Sequence, residues 1–331
     1  MVPSTSAGAL PGVSVILPVR NEEHYLAAAI DRVRAQSYRG PLQIVMAVGP
    51  SHDRTEELAA SLAEQDDRVV VVPNPSGRTP DGLNLAIAAA RHDVLVRVDG
   101  HSEIDPDYVE RAVATLLATG AANVGGMMVP VGTTPFEHAV ARAMSSRIGI
   151  GPVGFHTGGQ AGPAETVYLG VFRKDVVERV GGFDEHFTRA QDWELNHRIR
   201  AAGEQVWFDP ELRVRYRPRS TMRALARQFQ GSGQWRRQVI ARYPRTASPR
   251  YLAPPLALIG VAVGTVAGVV GAVSGTGWLR WGALLPAGYV LVVLGGAAVA
   301  GRGLPTAARL RLPAVAAVMH MSWGWGFLRG T

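Results

Sequence analysis

The sequence predicts an α/β fold, in which a doubly wound, mostly parallel sheet is followed by C-terminal transmembrane helices. Short apolar runs alternate with amphipathic stretches up to residue 211, and this alternation produces parallel sheets. After Glu211 there is no aspartate or glutamate, and long uncharged runs follow, as in membrane-spanning helices. We expect a flexible N-terminus at 1–12, an α/β domain at 13–211, an Arg-rich amphipathic segment at 212–250 and a transmembrane region at 251–331.

Charge is distributed unevenly along the 331-residue chain. Sixteen of the 34 basic residues follow Glu211, so residues 1–211 hold 18 basic and 27 acidic residues, a net −9 within an overall +7. Basic charge beside apolar spans indicates an anionic membrane surface, and no recognition helix or aromatic-interleaved basic platform indicates nucleic acid as a partner. The chain has no cysteine, which excludes disulfides and thiol chemistry. Residues 1–12 lack the pattern of a cleavable signal, so we expect none.

Each predicted strand ends at polar residues. Asn21 follows the first strand and is placed to cap the next helix, and Asp53 follows the second strand at the start of another helix. Ligands of such sheets bind outside the carboxyl ends of the strands, so these residues mark a candidate site. The first strand is not followed by G-x-G-x-x-G, which argues against dinucleotide binding. The predicted strands are 13–18, 42–48, 69–72 and 93–98.

The fourth predicted strand ends at a candidate metal site. The apolar run 93–98 is followed directly by Asp99, Gly100 and His101. Residues i and i+2 of an extended chain point to the same side, so Asp99 and His101 can bind one divalent cation, while Gly100 lets a ligand approach the backbone. Alternatively, Asp99 caps the helix that Asp105-Pro106 begins.

These motifs resemble the family 2 glycosyltransferases with a GT-A fold. The resemblance covers residues 13–240 and includes Gly181-Gly-Phe-Asp-Glu185 and Gln191-Asp192-Trp-Glu. The motif Arg97-Val-Asp-Gly-His and the apolar tail are most similar to those of the succinoglycan-type membrane glucosyltransferases. The resemblance implies an inverting, metal-dependent hexosyltransferase with a nucleotide-sugar donor, a UDP-sugar by family habit, in the synthesis of cell-surface polysaccharide or glycolipid.

The resemblance also implies roles for individual residues. Asp192 would be the general base, and Mn²⁺ or Mg²⁺ would be bound by Asp99, His101 and His156, unless His156 is a loop residue without a ligand role. An imidazole in place of the family's usual aspartate favours Mn²⁺. The candidate donor-binding residues are Pro18, Arg20, Glu22, Asp53, Arg78, Asn84, Asp99 and Gly100. The candidate acceptor or lipid contacts are Gln191, Trp193, Gln228, Trp235, Arg236 and Arg237.

Two departures from the family pattern affect these expectations. Gln191 stands where the family has glutamate, so Asp192 lacks a neighbouring like charge and we expect it to stay ionised; alternatively, Asp192 only caps its helix. The segment 48–51 reads Val-Gly-Pro-Ser where the family commonly reads Asp-Asp-Gly-Ser. The acid that contacts uracil is therefore missing, and Asp53 either orients the base or caps its helix.

The acid-free tail predicts the location of the protein. Runs 254–274 and 282–301 are long enough to cross a bilayer, and 312–328 is a possible third span or re-entrant segment. Arg302, Arg309 and Arg311 follow the second run, so the positive-inside rule places the catalytic domain on the cytoplasmic face of the cell membrane.

We expect transfer to a sugar carried on a polyprenyl diphosphate. The alternatives are direct transfer to a polyprenyl phosphate and binding of nucleotide sugars without turnover. Because the spans add no strand to the sheet, we expect a chain cut after about residue 250 to be soluble.

Overall fold

The computed structural model describes residues 9–151 and 153–330, so most of the expected flexible N-terminus, residues 1–8, lies outside the described residues. The described strands form one mixed sheet with the order β3-β2-β1-β4-β8-β6-β9-β5, and β7 pairs with β9. The strands are β1 (Val13–Val19), β2 (Leu42–Val48), β3 (Val69–Pro73), β4 (Val94–Arg97), β5 (Glu103–Ile104), β6 (Asn123–Pro130), β7 (Gly162–Pro163), β8 (Tyr168–Arg173) and β9 (Val206–Tyr216).

The four strands β3-β2-β1-β4 are parallel to one another. β1 and β4 are almost wholly buried, as expected of central parallel strands covered on both faces. The chain moves outward from β1 to β3 and then returns to β4 on the other side of β1. Ligands of doubly wound sheets bind at such a reversal of strand order, which here lies at the carboxyl ends of β1 and β4, where the sequence placed the candidate site. The predicted fold class is confirmed.

The other half of the sheet is antiparallel. β8 pairs antiparallel with both β4 and β6, and β5 and β7 pair antiparallel with β9. Arg97 at the end of β4 is opposite Gly170 of β8. The start of β8, at Tyr168, therefore lies at the same edge of the sheet as the carboxyl end of β4.

Contacts divide the chain into two compact units, residues 1–128 with 158–216, and residues 129–157 with 217–331. The first unit contains the sheet and most of the shorter helices. The helices are α1 (Leu26–Arg34), α2 (Thr55–Glu64), α3 (Thr79–Ala89), α4 (Tyr108–Thr119), α5 (Pro135–Met144), α6 (Gly154–Thr157), α7 (Lys174–Arg179), α8 (Gln191–Ala201), α9 (Met222–Arg242), α10 (Pro249–Ser274), α11 (Gly277–Arg280), α12 (Leu284–Ala300) and α13 (Thr306–Arg329).

Two helical stretches of the second unit, Pro249–Ser274 and Gly277–Ala300, are long and apolar enough to cross a membrane. Their apolar side chains are largely exposed, with Val273 85% and Leu291 70% accessible. α13 contains the possible third span, 312–328, but it does not meet the same criterion within the described residues. Whether α13 enters the membrane stays a prediction.

α9 and α13 pack closely within the second unit. A Cβ atom added to Gly233 of α9 would lie 2.0 Å from the Trp323 carbonyl oxygen, and one added to Gly326 of α13 would lie 2.0 Å from that of Gln230. Glycine on each helix therefore lets the two backbones touch. Because α9 ends before residue 250 and α13 begins after it, this packing argues against the expectation that a chain cut there is soluble.

Three sequence-based details were wrong. β1 continues through Pro18 to Val19. Asn21 does not cap α1, which begins at Leu26 without a side-chain cap; instead its Oδ1 accepts a hydrogen bond from the His52 amide at 2.8 Å. Asp99 does not cap α4, because the N-cap position of that helix is Asp107.

Candidate active site

Arg97 is the centre of the candidate site. Its side chain is only 4% exposed, and its Nε and Nη2 donate hydrogen bonds of 3.2 and 3.0 Å to Oδ1 of Asp99. Its Nη1 donates to Oδ1 of Asp192. One guanidinium therefore joins the loop after β4 to the first turn of α8. No role for Arg97 is expected from the sequence, although a charged residue inside the apolar run 93–98 is a visible signal.

Asp192 is held in a position where its proton affinity is increased. Burial raises the pKa of its carboxyl group; the Arg97 charge lowers it and the Asp99 charge raises it again, and the net direction is upward. The substitution of Gln191 for the family's acid therefore does not leave Asp192 with an ordinary pKa, because the sequence expectation omitted burial and Asp99. Asp192 does not cap α8 either, since the N-cap residue is Ala190 and no side-chain cap is present.

Arg97 is itself stabilised as a cation. Burial alone would lower the pKa of its guanidinium, but the charges of Asp192 and Asp99 outweigh burial and raise it. The neighbouring Tyr168, at the start of β8, has its pKa raised first by burial and then by the Asp99 carboxylate. The site therefore contains a permanent cation between two carboxylates, and Tyr168 is a neutral neighbour that the sequence analysis missed.

Arg198, in the second half of α8, holds the start of this helix in place. Nε and Nη2 of Arg198 donate to the fully buried Glu194 at 2.7 and 2.6 Å. The same guanidinium donates to the carbonyls of Val180 and Gly182. These bonds tie α8 to the Gly181-Gly-Phe-Asp-Glu185 motif and so fix the start of the helix that carries Asp192.

The two residues beside Asp192 were predicted acceptor contacts. Gln191 is half-buried at the start of α8. Trp193 is 7% exposed and its ring stacks on His197 with 5.4 Å between the ring centroids. These placements favour a packing role for Trp193, and acceptor contact by either residue stays a prediction.

The loops after β1 and β2 are joined by hydrogen bonds. The Glu22 amide donates to Oγ1 of Thr55 at 2.7 Å, and the Glu23 amide donates to Oδ2 of Asp53 at 3.3 Å. Oδ1 of Asp53 accepts from the amide and the hydroxyl of Thr55. Hydrogen bonds, first of all the one from Thr55, lower the pKa of Asp53. Oδ2 of Asp53 therefore joins the two loops and Oδ1 holds the first residue of α2, and a contact to the donor base by this residue stays a prediction.

The loop after β3 joins the same edge of the sheet. Arg20 donates to the carbonyls of Pro50 and Gly77 at 3.2 and 3.5 Å. Gly77 has φ +62°, and a Cβ added to Gly49 would lie 2.8 Å from the Gly77 Cα. The loops after β2 and β3 therefore touch through glycines, and Arg20, with Pro18 two residues before it in β1, lies where the first three strands end.

Arg78 and Asn84 connect this edge to the Gly181–Glu185 motif. The Asn84 amide donates to the Phe183 carbonyl and accepts from the Phe183 amide, both at 2.8 Å. Arg78 donates to Asp81 at 2.6 Å and to the Glu185 carbonyl at 3.2 Å. These contacts give both residues a scaffolding role, and donor contacts by Arg78 and Asn84 stay predictions.

The predicted metal ligands Asp99 and His101 have different partners in the structure, and cation binding by them stays a prediction. Nδ1 of His101 lies 2.8 Å from Oε1 of Glu22, and a Cβ added to Gly100 would lie 3.1 Å from the same glutamate side chain. Oδ2 of Asp99 makes no hydrogen bond with any described residue. No cluster of three or more His, Asp or Glu side chains suited to a metal is found across 9–151 and 153–330. Mg²⁺ at such sites takes one or two carboxylates and completes its shell with phosphate oxygens and water.

Strained backbone is concentrated beside these residues. Among the described non-glycine residues, those with positive φ are Asn21, Leu169 and Ala190, at 55°, 52° and 60°. Each lies within two residues of Glu22, Tyr168 or Asp192. The left-handed conformation costs non-glycine residues about 1–2 kcal/mol, and such strain is found preferentially at functional sites.

The remaining predicted site residues belong to the second unit. His156 lies in the one-turn helix α6 rather than in an irregular loop, its Nδ1 is buried without a hydrogen-bond partner in the described part of the chain, and burial lowers its pKa to about 4. Its imidazole is therefore neutral at pH 7, as a metal ligand must be. Metal binding by His156 stays a prediction.

The four candidate lipid contacts lie on α9. Gln228 accepts a hydrogen bond from Arg219 at 3.2 Å, and Trp235 is partly buried. The Arg236 guanidinium lies 4.2 Å from the ring centroid of Tyr251. Arg237 donates to the Phe327 and Leu328 carbonyls at the end of α13. Both arginines therefore contribute to helix packing, and their lipid contacts stay predictions.

Fold and site together define the class of protein. A parallel β3-β2-β1-β4 arrangement, an Asp-x-His at the end of β4 and a second carboxylate at the start of α8 are the parts of a GT-A glycosyltransferase. The chain belongs to glycosyl transferase family 2, whose family model matches residues 14–181.

Individual relatives extend this likeness along the chain. The succinoglycan biosynthesis protein ExoA of Rhizobium meliloti (strain 1021) is 33% identical over 323 residues, which is 95% of this chain and 93% of ExoA. A Methanococcus voltae enzyme named dolichyl N-acetyl-α-D-glucosaminyl phosphate 3-β-D-2,3-diacetamido-2,3-dideoxy-β-D-glucuronosyltransferase is 22% identical over 65% of this chain and 70% of its own. The mannosyltransferase PcManGT of Pyrobaculum calidifontis, solved with GDP-Man and Mn²⁺, aligns with a TM-score of 0.58 and 18% identity over 98% of this chain and 90% of its own, which shows the shared fold.

Proposed function

We propose that this protein is a membrane-anchored, inverting hexosyltransferase that moves a sugar from a nucleotide sugar to a hydroxyl of a lipid-linked sugar, in the synthesis of cell-surface polysaccharide. The observation that carries the proposal is the arrangement of Asp99 and Asp192 on one buried guanidinium at the carboxyl end of β4. The donor would bind on the Asp99 side and the acceptor on the Asp192 side. The name of the succinoglycan relative supports polysaccharide synthesis, and the name of the Methanococcus relative supports an acceptor sugar on a lipid phosphate.

Asp192 would act as the general base. In an inverting transfer, the acceptor oxygen forms a bond to the anomeric carbon while the bond from that carbon to the diphosphate breaks on the opposite face. The hydroxyl proton passes to the Asp192 carboxylate, and a nucleoside diphosphate leaves. Oδ2 of Asp192 makes no hydrogen bond with any described residue, so it is available to this proton, and its raised pKa suits a base that must take one.

Asp99 and His101 would hold a divalent cation together with the diphosphate of the donor. When bound, the cation neutralises negative charge on the leaving group. We propose Mn²⁺ over Mg²⁺, because an imidazole is a softer ligand than a carboxylate; the Mn²⁺ in the archaeal mannosyltransferase structure supports this preference. We propose a UDP-sugar donor because the family commonly uses one. The test also includes GDP-sugars, because that structure contains GDP-Man.

The proposed location is the cytoplasmic face of the cell membrane. Two helices of the second unit are long and apolar enough to cross a bilayer. Arg302, Arg309 and Arg311 follow the second of them, and clusters of basic residues stay on the cytoplasmic side. A lipid-linked acceptor would then be presented at the surface in which the protein is anchored.

The test uses the full chain in lipid nanodiscs with Mn²⁺ and a panel of UDP- and GDP-sugars. Each donor is offered with a polyprenyl diphosphate sugar or with a polyprenyl phosphate, and the anomeric configuration of the product is read by NMR. Transfer to the acceptor sugar with inversion supports the proposal. Transfer only to the polyprenyl phosphate, a retained configuration, or binding without turnover would each contradict it.

A further inference from the structure

We propose that Arg97 is a positioning residue that fixes Asp99 and Asp192 relative to each other, and so couples binding of the cation and donor to deprotonation of the acceptor. The inference rests on the proposed function, whose donor and acceptor sides it connects. Arg97 would contact neither the donor nor the acceptor. It acts through the two carboxylates that it holds.

The geometry uses both edges of the guanidinium. Nε and Nη2 form a pair of donors on one edge, and both point to Oδ1 of Asp99. Nη1, on another edge, donates to Oδ1 of Asp192. Because the guanidinium is planar and rigid, the two carboxylates are set by one fixed fork. A lysine ammonium carries the same charge but is a single point, so it cannot impose this spacing.

The place of Arg97 in the fold supports a positioning role over a stabilising one. Its neighbours along the strand, Val96 and Val98, are fully buried, and Arg97 pairs across the sheet with Ile16 of β1. Apolar residues in place of all three members of this ionic group would fill the same space without desolvating any charge. Buried ion pairs add little net stability compared with well-packed apolar residues, so a buried arginine here needs another explanation.

The hydrogen bonds from Arg97 also leave one oxygen, Oδ2, of each carboxylate available. Asp99 and Asp192 are both bound through Oδ1, and neither Oδ2 makes a hydrogen bond with any described residue. Arg97 therefore restrains each carboxylate without occupying it. The open oxygen of Asp99 is available to a cation, and that of Asp192 is available to a proton.

The experiment compares Arg97→Lys with Arg91→Lys in the full chain in nanodiscs. Arg91 is exposed in the segment before β4, so it controls for an arginine-to-lysine change outside the site. Circular dichroism and thermal melting first establish that each variant is folded. Should Arg97→Lys fail to fold, Arg97→Gln, which keeps a hydrogen-bond donor, takes its place in the same comparison.

Two measurements then separate positioning from stability. A misplaced catalytic group costs about 100-fold, so at saturating Mn²⁺ Arg97→Lys should lower kcat by about that factor while the donor KM stays within about 3-fold. In an Asp192→Asn background the same substitution should cost less than about 3-fold, because the base through which Arg97 acts is already gone. In addition, Mn²⁺ binding in the presence of UDP, followed by electron paramagnetic resonance, should weaken by about 10-fold or more.

The outcomes distinguish this inference from the proposed function. If wild type transfers sugar and Arg97→Lys loses the same factor with and without Asp192, Arg97 is merely structural and the inference is overturned. It is also overturned if both kcat and Mn²⁺ binding match the Arg91→Lys control. If wild type transfers no sugar, the proposed function fails; the Mn²⁺ measurement then decides whether Arg97 positions Asp99.

Discussion

Replacing Asp192 with asparagine is the most direct test of the chemistry. Asparagine has nearly the same shape and keeps an oxygen that can accept the hydrogen bond from Arg97, but it cannot take a proton. General-base catalysis contributes about 10²–10⁴-fold to rate, so kcat should fall by that range, or roughly 3–5 kcal/mol of transition-state stabilisation. The weaker hydrogen bond to Arg97 is offset because folding disfavours the ionised form of Asp192, as its raised pKa indicates, so the free energy of unfolding should change by less than about 1 kcal/mol.

The assay follows transfer to a hydroxyl acceptor as a function of pH. A general base works only when deprotonated, so wild-type kcat should rise with pH through the pKa of Asp192, which burial raises above that of an ordinary aspartate. This dependence of kcat on pH should vanish in Asp192→Asn, while the donor KM stays nearly constant. Asp31→Asn, on the exposed face of α1, is the matched control. A kcat of Asp192→Asn within tenfold of wild type, or a kcat that still rises with pH in the same range, would refute the assignment of the base.

Three further predictions follow from the same geometry. Asp99→Ala should keep the fold but lose Mn²⁺-dependent donor binding in a thermal-shift assay, and retained metal-dependent binding would contradict the cation site. His101→Asp should shift preference from Mn²⁺ towards Mg²⁺, because it exchanges a nitrogen for a hard oxygen ligand; an unchanged ratio of the two activities would mean that His101 points elsewhere. A chain cut after residue 250 should aggregate without detergent, since it exposes the face of α9 around Gly233 that packs against α13; a monodisperse fragment by gel filtration would disprove this.

The sequence predicted the parts of the site whose signals are local. An apolar run that ends at Asp99 marks the carboxyl end of a buried strand, and the structure places it there. Asp192 was assigned by resemblance, but its raised pKa depends on burial and on Asp99, which are properties of the folded chain. Arg97 was overlooked because a charged residue in a strand has no defined role until its partner, 95 residues away in Asp192, is known.

Contacts of long sequence separation also explain why the C-terminal helices cannot be treated as a detachable anchor. Nη1 of Arg142, on α5, donates to the carbonyls of Ala300 and Arg302 at 2.7 and 3.1 Å, and so satisfies groups that the end of α12 leaves unpaired. Nε2 of His320 on α13 lies 2.5 Å from the Ile148 carbonyl, 172 residues away, and its Nδ1 lies 3.2 Å from the Tyr289 hydroxyl. The Ile148 carbonyl can only accept, so Nε2 donates to it and Nδ1 accepts from the tyrosine. The histidine that had no explanation in the apolar tail thus connects α12 and α13 to the segment 129–157, and removing the tail would leave that segment without these partners.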